Sequence, residues 1–253
     1  DRTPSYPEGV RMSLLEVEGL RTGYGSLPVL QGISFSVEEG ETAVIFGLNG
    51  AGKTTTVNCL AGLLPTWGGE VRFDGKKISG KDAPGIVKAG ISLSPEGRRV
   101  WPGLSVMKNL ELGAWSRKDR NKISETTEQV FSYFPRLEER KDQMAGTLSG
   151  GEQQMLAIGR AIMSKPRMLM IDEASLGLSP KLAQTVFQVV SKINHDGTTV
   201  IIVEQNVGVL PYADQALIME KGTLTFDGRG KELEESGELR RTYAGDAPAE
   251  AEH

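Results

Sequence analysis

The sequence has 253 residues, of which 25% are charged and 38% hydrophobic, and its 29 Lys and Arg against 33 Asp and Glu give a formal net charge of −4. This composition is that of a folded globular protein, and it excludes a chain that is mainly disordered or collagen-like. The slightly acidic total argues against a dedicated nucleic-acid binder, which needs a dense Lys and Arg surface to displace counterions from phosphate.

The numbers of cysteines and histidines exclude an intramolecular disulfide and a Cys/His zinc site. The single cysteine, Cys59, cannot form an intramolecular disulfide, and two histidines, His195 and His253, are too few for a Cys/His zinc cage. No apolar run approaches the roughly 18 residues that would span a bilayer, and residues 1–11 lack the apolar core of a signal peptide. We therefore expect a soluble protein of a reducing compartment, with Cys59 in the core and His195 at a helix end.

The N-terminal part of the chain combines a loose leader with short strands. Residues 1–12 carry prolines and a glycine, which predicts a loose leader, and Met12 is a candidate for the native start. Residues 14–17 and 34–37 mix apolar and polar side chains and predict half-buried antiparallel strands. At the other end, the Ala, Glu and Pro content of residues 246–253 predicts a disordered tail.

Three short, continuous apolar runs predict strands that are covered on both faces of a parallel sheet. They are residues 42–46, 168–171 and 199–203. Residues 181–194 carry apolar side chains at helical spacing after a Ser-Pro pair, which suits the N-cap and first position of a helix. The predicted fold class is therefore α/β.

The remaining segments complete a single domain over residues 13–245. Strand signals are missing from about residue 105 to residue 163, and we place a helical insertion at about residues 98–163. Residues 216–220 and 223–226 flank a Lys-Gly pair, which predicts a hairpin.

A phosphate-binding loop follows the first of the buried strands. Residues 47–54 match the pattern G-x-x-x-x-G-K-[ST], and residues 55–64 are predicted to be helical. Glycines let backbone N–H groups turn inward around phosphate oxygens, and the start of a helix adds its positive dipole end. Lys53 supplies a charge to the β- and γ-phosphates, and the Thr54 hydroxyl is a Mg²⁺ ligand. The predicted nucleotide-binding residues of this loop are Gly47, Leu48, Asn49, Gly50, Ala51, Gly52, Lys53 and Thr54.

The second buried strand ends in two neighbouring carboxylates, Asp172 and Glu173. Asp172 is suited to the Mg²⁺ shell, and Glu173 is suited to orienting or deprotonating an attacking water. Because adjacent residues of a strand point to opposite faces, we expect the two acids to do different jobs. The alternative interpretation is a solvated strand end without chemistry.

A capping box with two glycines lies about a hundred residues after the phosphate loop, in the string LSGGEQ at residues 148–153. Ser149 is the N-cap of the predicted helix, and Glu152 is its third residue. The cap does not explain Gly150 and Gly151, whose missing side chains expose backbone N–H groups at a helix start. We predict a second anion-binding surface there.

With the phosphate loop, LSGGEQ and the Asp-Glu strand in this order, the chain resembles the ATP-binding subunits of ABC transporters over roughly residues 14–245. The LSGGEQ string is highly specific to that family. Residues 94–102, 173–180 and 203–206 are similar to one branch, the ATPases of bacterial branched-chain amino acid importers and their urea-type relatives. The resemblance implies a P-loop NTPase (RecA-like) core, an N-terminal antiparallel β subdomain and a helical insertion subdomain.

The resemblance also implies the ligands and the assembly. The ligands are ATP and Mg²⁺, with each ATP held between residues 50–55 of one subunit and residues 149–152 of a second ATPase in a head-to-tail dimer. The second ATPase is either an identical chain or a sister chain. Tyr24 falls where the family stacks an aromatic ring on adenine, with an exposed strand tyrosine as the alternative. Thr55 joins the residues that wrap the phosphates, and Glu173 matches the family's water-activating glutamate.

Three positions depart from the family pattern and leave the rate of hydrolysis open. Glu96 stands where most members have a glutamine that touches Mg²⁺ and the attacking water, and a carboxylate there still ligates Mg²⁺. Gln205 stands where most have a histidine that contacts the γ-phosphate, and its amide donates a hydrogen bond but cannot become cationic. Ser179 replaces the usual aspartate and is expected to be a structural N-cap. The implied catalytic residues are Glu173 and Gln205, and the implied metal ligands are Thr54, Glu96 and Asp172.

Membrane subunits are the implied partners. Arg98, Arg99 and Trp101 lie in the loop of residues 96–101 that in the family faces a cytoplasmic helix of the permease, and Arg with Trp is the composition of interface anchors. An ordinary solvated basic pair is the alternative. The resemblance further implies an indirect partner, a periplasmic or extracellular solute-binding protein, and a peripheral location at the cytoplasmic face of the bacterial inner membrane. Nucleic acid is not an expected partner.

Other functions stay open at this point. One is a soluble ABC-type ATPase in an assembly role without a membrane partner, and another is the ATPase of a urea or amide importer. A GTPase or nucleotide kinase that shares only the phosphate loop is disfavoured for two reasons. The sequence has no Asn-Lys-x-Asp string, and the LSGGEQ string would have no function in such a protein. The transported solute is not encoded here, since other subunits select it.

Overall fold

The computed structural model describes residues 13–236, and the structural statements that follow concern that part of the chain. The strands are β1 (Ser13–Tyr24), β2 (Leu27–Glu38), β3 (Thr42–Phe46), β4 (Gly68–Phe73), β5 (Lys76–Lys77), β6 (Ile91–Ser94), β7 (Met168–Asp172), β8 (Thr199–Glu204), β9 (Gln215–Glu220) and β10 (Thr223–Arg229). The α-helices are α1 (Lys53–Leu60), α2 (Ala83–Ala89), α3 (Val106–Gly113), α4 (Ile123–Tyr133), α5 (Pro135–Glu139), α6 (Gly150–Ile162), α7 (Pro180–His195) and α8 (Gly230–Ser236). The predicted leader, Met12 as a start, the predicted tail with His253, and the last residues of the predicted domain, 237–245, lie outside the described residues.

The central sheet has six strands in the order β10-β9-β3-β8-β7-β6. Strands β9, β3, β8, β7 and β6 run parallel, and β10 pairs antiparallel with β9 as the predicted hairpin. The three predicted buried runs are the neighbours β3, β8 and β7, so the predicted parallel sheet is confirmed. Because the carboxyl ends of parallel strands meet at one edge, the residues that follow these three strands are brought together.

Alternate side chains of the central strands enter two separate hydrophobic cores. On β3, Val44 and Phe46 belong to the core on the helical side, whereas Ala43 and Ile45 belong to the core beneath the antiparallel sheet. All four side chains are at most 1% exposed. A sheet covered on both faces needs apolar residues at every position, which explains the continuous apolar runs.

A second sheet has four strands in the order β2-β1-β4-β5. Its β1 and β2 pair antiparallel, as predicted for residues 14–17 and 34–37, but each strand is 12 residues long. Strands β4, β5 and β6 and helix α2 were not predicted, because they are short and are bordered by glycines that interrupt any apolar period. The second sheet is therefore the antiparallel β sheet that was expected near the N-terminus, and its strands are longer than predicted.

The helical insertion holds α3, α4, α5 and α6, together with short 3₁₀ turns. An isolated bridge between Ser105 and Met144 is its sole strand-like pairing among the described residues. The boundaries of 98–163 remain a prediction. No helix in residues 13–236 combines the length and apolar character that crossing a bilayer requires.

One helix prediction needs correction at its ends. The helix after the phosphate loop is α1, which begins at Lys53 inside the loop and ends at Leu60, so the predicted span of 55–64 is wrong at both ends. Ser179 stands at the N-cap of α7, as predicted, and its side chain makes no capping hydrogen bond. Cys59 is buried in α1, and His195 is the last residue of α7, as predicted.

Candidate functional site

The phosphate loop joins β3 to α1, and its glycines permit its shape. Gly50 and Gly52 have φ values of 83° and 108°, in the left-handed region that L side chains rarely adopt. A Cβ atom on Gly47 would lie 2.5 Å from the carbonyl oxygen of Met219. Gly52 is the N-cap of α1, so the free N–H groups of the first helical turn lie at the loop. This is the backbone geometry of an anion-binding turn.

Lys53 lies under the loop and is 5% exposed. Its Nζ donates hydrogen bonds to the carbonyl oxygens of Gly47, at 2.7 Å, and Leu48, at 3.3 Å. The same Nζ lies 3.5 Å from Oε1 of Glu173. A buried ammonium group needs a counter-charge, and Glu173 supplies it.

Thr54 and Asp172 meet at the same edge of the sheet. The Thr54 hydroxyl donates to Oδ1 of Asp172 at 3.1 Å, and Asp172 is 1% exposed. Burial raises the pKa of the Asp172 carboxyl to about 6, the Thr54 hydrogen bond opposes that rise, and the charges of Glu96 and Glu173 add to it. Such a concentration of carboxylates fits a divalent cation. Within residues 13–236, no three or more His, Cys, Asp or Glu side chains are grouped so that they could hold a metal ion.

Glu173 does not continue β7. It follows the last residue of that strand with φ of 53°, and its N–H donates to the carbonyl oxygen of Val203 at 2.9 Å. This left-handed turn directs the side chain back to the phosphate loop, so the predicted opposite orientation of Asp172 and Glu173 is wrong. The two acids still contact different groups, Asp172 through Thr54 and Glu173 through Lys53.

Gln205 follows β8 directly and joins two parts of the site. Its Nε2 lies 2.9 Å from Oδ1 of Asn49 and 2.9 Å from Oε1 of Glu173. An amide nitrogen carries two N–H groups, so it can donate to both oxygens at once. The side chain therefore fixes the carboxylate of Glu173 relative to the phosphate loop.

Lys53, Thr54, Glu173 and Gln205 line one cavity of about 500 Å³, whereas Asp172 lies behind Thr54 and does not line it. Glu96, in the loop after β6, reaches the same cavity, as the sequence predicted. Val29 and Leu176 were not predicted, because a single apolar residue in a mixed segment gives no signal of ligand contact. The lining residues are Tyr24, Val29, Asn49, Gly50, Gly52, Lys53, Thr54, Thr55, Glu96, Glu173, Leu176 and Gln205.

Tyr24 forms the rim of the cavity. It is the last residue of β1, it is 49% exposed, and its hydroxyl lies 3.5 Å from Oγ1 of Thr55. Val29 lines the cavity near it. An exposed aromatic face beside an apolar side chain is suited to stacking on a planar base.

The LSGGEQ segment lies away from this cavity. Its capping box is present: Ser149 Oγ accepts from the N–H of Glu152 at 3.4 Å, and Glu152 Oε2 accepts from the N–H of Ser149 at 2.9 Å. None of residues 149–152 lines the cavity. A Cβ atom on Gly151 would clash with Cδ2 of Leu182, so close packing of α6 on α7 is a second reason for glycine that the sequence did not reveal.

Glu204 supports the site from behind, and the sequence analysis did not single it out. It ends β8 and is 1% exposed. Its carboxylate accepts hydrogen bonds from the N–H groups of Ser175, Gln205 and Asn206 and from the Ser175 hydroxyl. Burial raises the pKa of this carboxyl, although the hydrogen bonds from Ser175 oppose the rise. In the sequence, the signal was an acid directly after the apolar run of residues 199–203. In the structure, the Glu204 carboxylate holds the turns that carry Glu173 and Gln205.

The loop after Glu96 carries the predicted basic and aromatic residues. Gly97, Arg98 and Arg99 have φ values of 79°, 64° and 41°, an unusual run of left-handed residues. A Cβ atom on Gly150 would lie 2.6 Å from Nη1 of Arg98, so this loop packs on the start of α6. Trp101 is 51% exposed.

Comparison with known sequences identifies one family. Residues 30–176 match the family described as ABC transporter. The chain is 40% identical over 233 residues to the high-affinity branched-chain amino acid transport ATP-binding protein BraG of Pseudomonas aeruginosa, with 92% of this chain and 100% of that protein covered. It is 32% identical to the probable branched-chain amino acid transport ATP-binding protein LivF of Archaeoglobus fulgidus, with 92% of this chain and 99% of that protein covered.

Solved structures agree with this comparison. A nucleotide-free ATP-binding cassette from an ABC transporter aligns with a TM-score of 0.80 and 29% identity, over 89% of this chain and 94% of that chain. The ADP conformation of another such cassette aligns with a TM-score of 0.80 and 29% identity, over 93% of this chain and 100% of that chain. The predicted P-loop NTPase fold is therefore confirmed.

Proposed function

The chain belongs to the ABC transporter family of ATP-binding proteins, and from that premise we propose that it is the ATP-hydrolysing subunit of a bacterial importer of branched-chain amino acids. The observation that carries the proposal is the cavity in which Lys53, Glu173 and Gln205 converge on the phosphate loop. The names of the relatives from Pseudomonas aeruginosa and Archaeoglobus fulgidus support the solute class.

The nucleotide would lie along the cavity from its rim to the start of α1. Residues 47–55 would surround the phosphates with backbone N–H groups, and Lys53 would neutralise the β- and γ-phosphates. Tyr24 would stack on adenine, with Val29 covering the same end of the cavity. This placement uses the full length of the cavity and every predicted residue that lines it.

Mg²⁺ would be held by Thr54, Asp172 and Glu96. The hydroxyl of Thr54 and the buried carboxylate of Asp172 are already in contact, and the charge of Glu96 acts on Asp172. Oxygen ligands of this kind are those that Mg²⁺ prefers, and the ion would neutralise charge on the phosphates.

Glu173 would act on the attacking water, and Gln205 would hold the Glu173 carboxylate in place. Lys53 is the counter-charge of the Glu173 carboxylate. A γ-phosphate that paired with Lys53 would separate the ammonium group from the carboxylate, and the carboxylate would then accept a proton from the water. Gln205 would keep that carboxylate next to the phosphate loop through its bridge to Asn49. Catalysis of phosphoryl transfer depends mainly on such positioning and on charge.

A second ATPase subunit would complete the site in a head-to-tail dimer. The cavity has an open side, and residues 149–152 present a helix start elsewhere on the same chain. In this arrangement ATP would join the phosphate loop of one subunit to Ser149, Gly150, Gly151 and Glu152 of an identical or sister chain. Binding of ATP would close the dimer, and hydrolysis would release it.

The partners of this dimer would be integral membrane subunits, contacted through the loop of Glu96–Trp101, with a solute-binding protein acting indirectly. The location would be the cytoplasmic face of the inner membrane, and nucleic acid would not be a partner.

Uptake measurements test this function. Deletion of the gene should abolish uptake of radiolabelled leucine at low concentration, and the wild-type gene should restore it, whereas a Glu173→Gln gene should not. Uptake of an unrelated sugar is the control and should be unchanged throughout. Leucine uptake that survives the deletion in full would overturn the proposed transport role.

A further inference from the structure

Trp67 lies against the backbone of the residue that precedes Tyr24. It is the last residue before β4, in the connection that runs from α1 to that strand. A Cβ atom on Gly23 would lie 2.7 Å from Cη2 of the Trp67 ring and would also clash with the carbonyl oxygen of Leu27. Glycine at position 23 therefore lets the edge of the indole ring reach the main chain of β1.

Strand β4 covers only part of β1. The pairing of the two strands runs as far as Arg21, which lies opposite Gly68, so residues 22–24 have no partner in β4. On the other side, Tyr24 pairs with Leu27 across a two-residue hairpin turn. The end of β1 that carries Tyr24 therefore has one neighbouring strand instead of two, and such an end opens more easily than the middle of a sheet.

The connection before β4 takes the place that β4 leaves. The Trp67 N–H donates to the carbonyl oxygen of Arg21 at 2.8 Å. The hydroxyl of Thr22, a buried residue, donates to the carbonyl oxygen of Pro65 at 2.6 Å. The indole ring on Gly23 is the next contact along the strand, so the support continues up to the residue before the tyrosine at the cavity rim.

Trp67 does not itself line the nucleotide cavity, whereas Tyr24 does. Any influence of Trp67 on a bound base therefore passes through the end of β1. A stacking ring that already has a fixed orientation binds more tightly, because its order need not be supplied at the moment of binding. The contact between Trp67 and Gly23 is suited to providing that order.

We propose that Trp67 is a positioning residue for the base of the nucleotide. Its ring fixes the main chain at Gly23, and this fixes the direction of the Tyr24 side chain at the rim of the cavity. The inference rests on the proposed function, in which Tyr24 stacks on adenine. Helix α1 begins in the phosphate loop and the connection after it ends at Trp67, so one continuous segment serves both the phosphate end and the base end of the site.

A double-mutant cycle on Trp67 and Tyr24 tests this role. Calorimetry of the full chain with ADP, which carries the base and is not hydrolysed, gives the Kd of wild type, Trp67→Ala, Tyr24→Ala and the double variant. Trp67→Ala should raise the Kd about three- to tenfold, the cost of ordering a ring on binding. It should have no further effect on the Tyr24→Ala chain, because the stacking ring is already absent. Trp115→Ala, at another exposed tryptophan, is the matched control and should bind like wild type.

Two further measurements separate positioning from a general effect on the fold. Inorganic pyrophosphate has no base, so all of these proteins should bind it equally. Trp67→Phe keeps an aromatic ring but lacks the Cη2 atom that reaches Gly23. It should have the thermal midpoint of wild type and should still lose affinity for ADP.

Wild-type affinity for ADP in both Trp67→Ala and Trp67→Phe would overturn the inference. An equal loss with and without the Tyr24 ring would also overturn it, because Trp67 would then contact the nucleotide itself. A matching loss of affinity for pyrophosphate would assign Trp67 to the fold alone. If wild type binds no ADP, or if Tyr24→Ala binds ADP as tightly as wild type, the proposed nucleotide site itself fails.

Discussion

The side-chain amide of Gln205 bridges Asn49 of the phosphate loop and Glu173, with Nε2 at 2.9 Å from an oxygen of each. The bridge connects the residue after β8 to the residue after β7, two neighbouring parallel strands. It gives Glu173 one fixed position relative to the loop that would hold the γ-phosphate.

Replacing Gln205 with Leu should impair catalysis more than binding. Leucine has a similar size but donates no hydrogen bond, so Glu173 loses its link to Asn49 while Lys53 is unchanged. We expect kcat for ATP to fall about 10- to 100-fold, in the range of a lost positioning or general-base contact, with KM changed less than threefold. Gln129→Leu, on the exposed face of α4, is the control. A rise in KM at constant kcat would show that Gln205 serves nucleotide binding instead.

Replacing Lys53 with Ala should weaken ATP binding. The substitution removes a buried charge that is aimed at the loop and leaves Glu173 without its counter-charge, so the pocket becomes repulsive for phosphates. A charge-assisted contact of this kind contributes about 1.5–3 kcal/mol, so the Kd measured by calorimetry should rise at least tenfold. Lys88→Ala, at an exposed position of α2, should bind like wild type. An unaltered titration with Lys53→Ala would contradict the placement of the phosphates.

Tyr24 should contribute through its ring and not through its hydroxyl. The hydroxyl contact with Thr55 is long, at 3.5 Å, so Tyr24→Phe should bind ATP within twofold of wild type. Tyr24→Ala should lose about 10- to 100-fold, in line with about 1–3 kcal/mol for stacking on a base. Binding of inorganic triphosphate, which has no base, should be the same for all three proteins. Equal ATP affinity for Tyr24→Ala and wild type would exclude stacking.

Asp172 should destabilise the metal-free protein at neutral pH. Its folded-state pKa is about 6, above its ordinary value of 3.8, so the folded state binds more protons and the free energy of unfolding falls as pH rises from about 4 to about 6. Asp172→Asn removes this loss and should raise the free energy of unfolding by about 1–3 kcal/mol at pH 7.5 in EDTA, with a much smaller gain at pH 4.5. Urea unfolding at the two pH values measures the difference.

The control for this prediction is Asp142→Asn, at an exposed carboxylate. Its unfolding curve should match that of wild type at both pH values. A loss of stability with Asp172→Asn at pH 7.5 would mean that the carboxylate is needed for the fold, and the argument from burial would be wrong.

The parts of the site that could be predicted from sequence are those with a local signal. The phosphate loop has fixed spacing, and the buried strands are continuous apolar runs, so the edge where Thr54 and Asp172 meet follows from the order of the elements. Ser149 and Glu152 form a capping box within four residues, and the pattern predicted it correctly.

The other features of the site depend on contacts between residues far apart in the sequence, which no local sequence pattern encodes. Glu173 was expected to follow strand alternation, but it lies in a left-handed turn held by a hydrogen bond to Val203. The glycine at 151 is required by Leu182, which is 31 residues away in sequence.

We propose that each ATP is shared between residues 47–54 of one subunit and residues 149–152 of another. Cysteine cross-linking in the assembled transporter tests it most directly, with Leu48→Cys and Ser149→Cys placed in the Glu173→Gln chain and at the matching positions of any sister ATPase. The native Cys59 is buried, and burial raises the pKa of its thiol, so it should not react. We expect a product that joins two ATPase subunits through these cysteines when ATP is present and that disappears without nucleotide. Absence of that product with ATP, or an equal yield of it without ATP, would show that the two segments do not share the nucleotide.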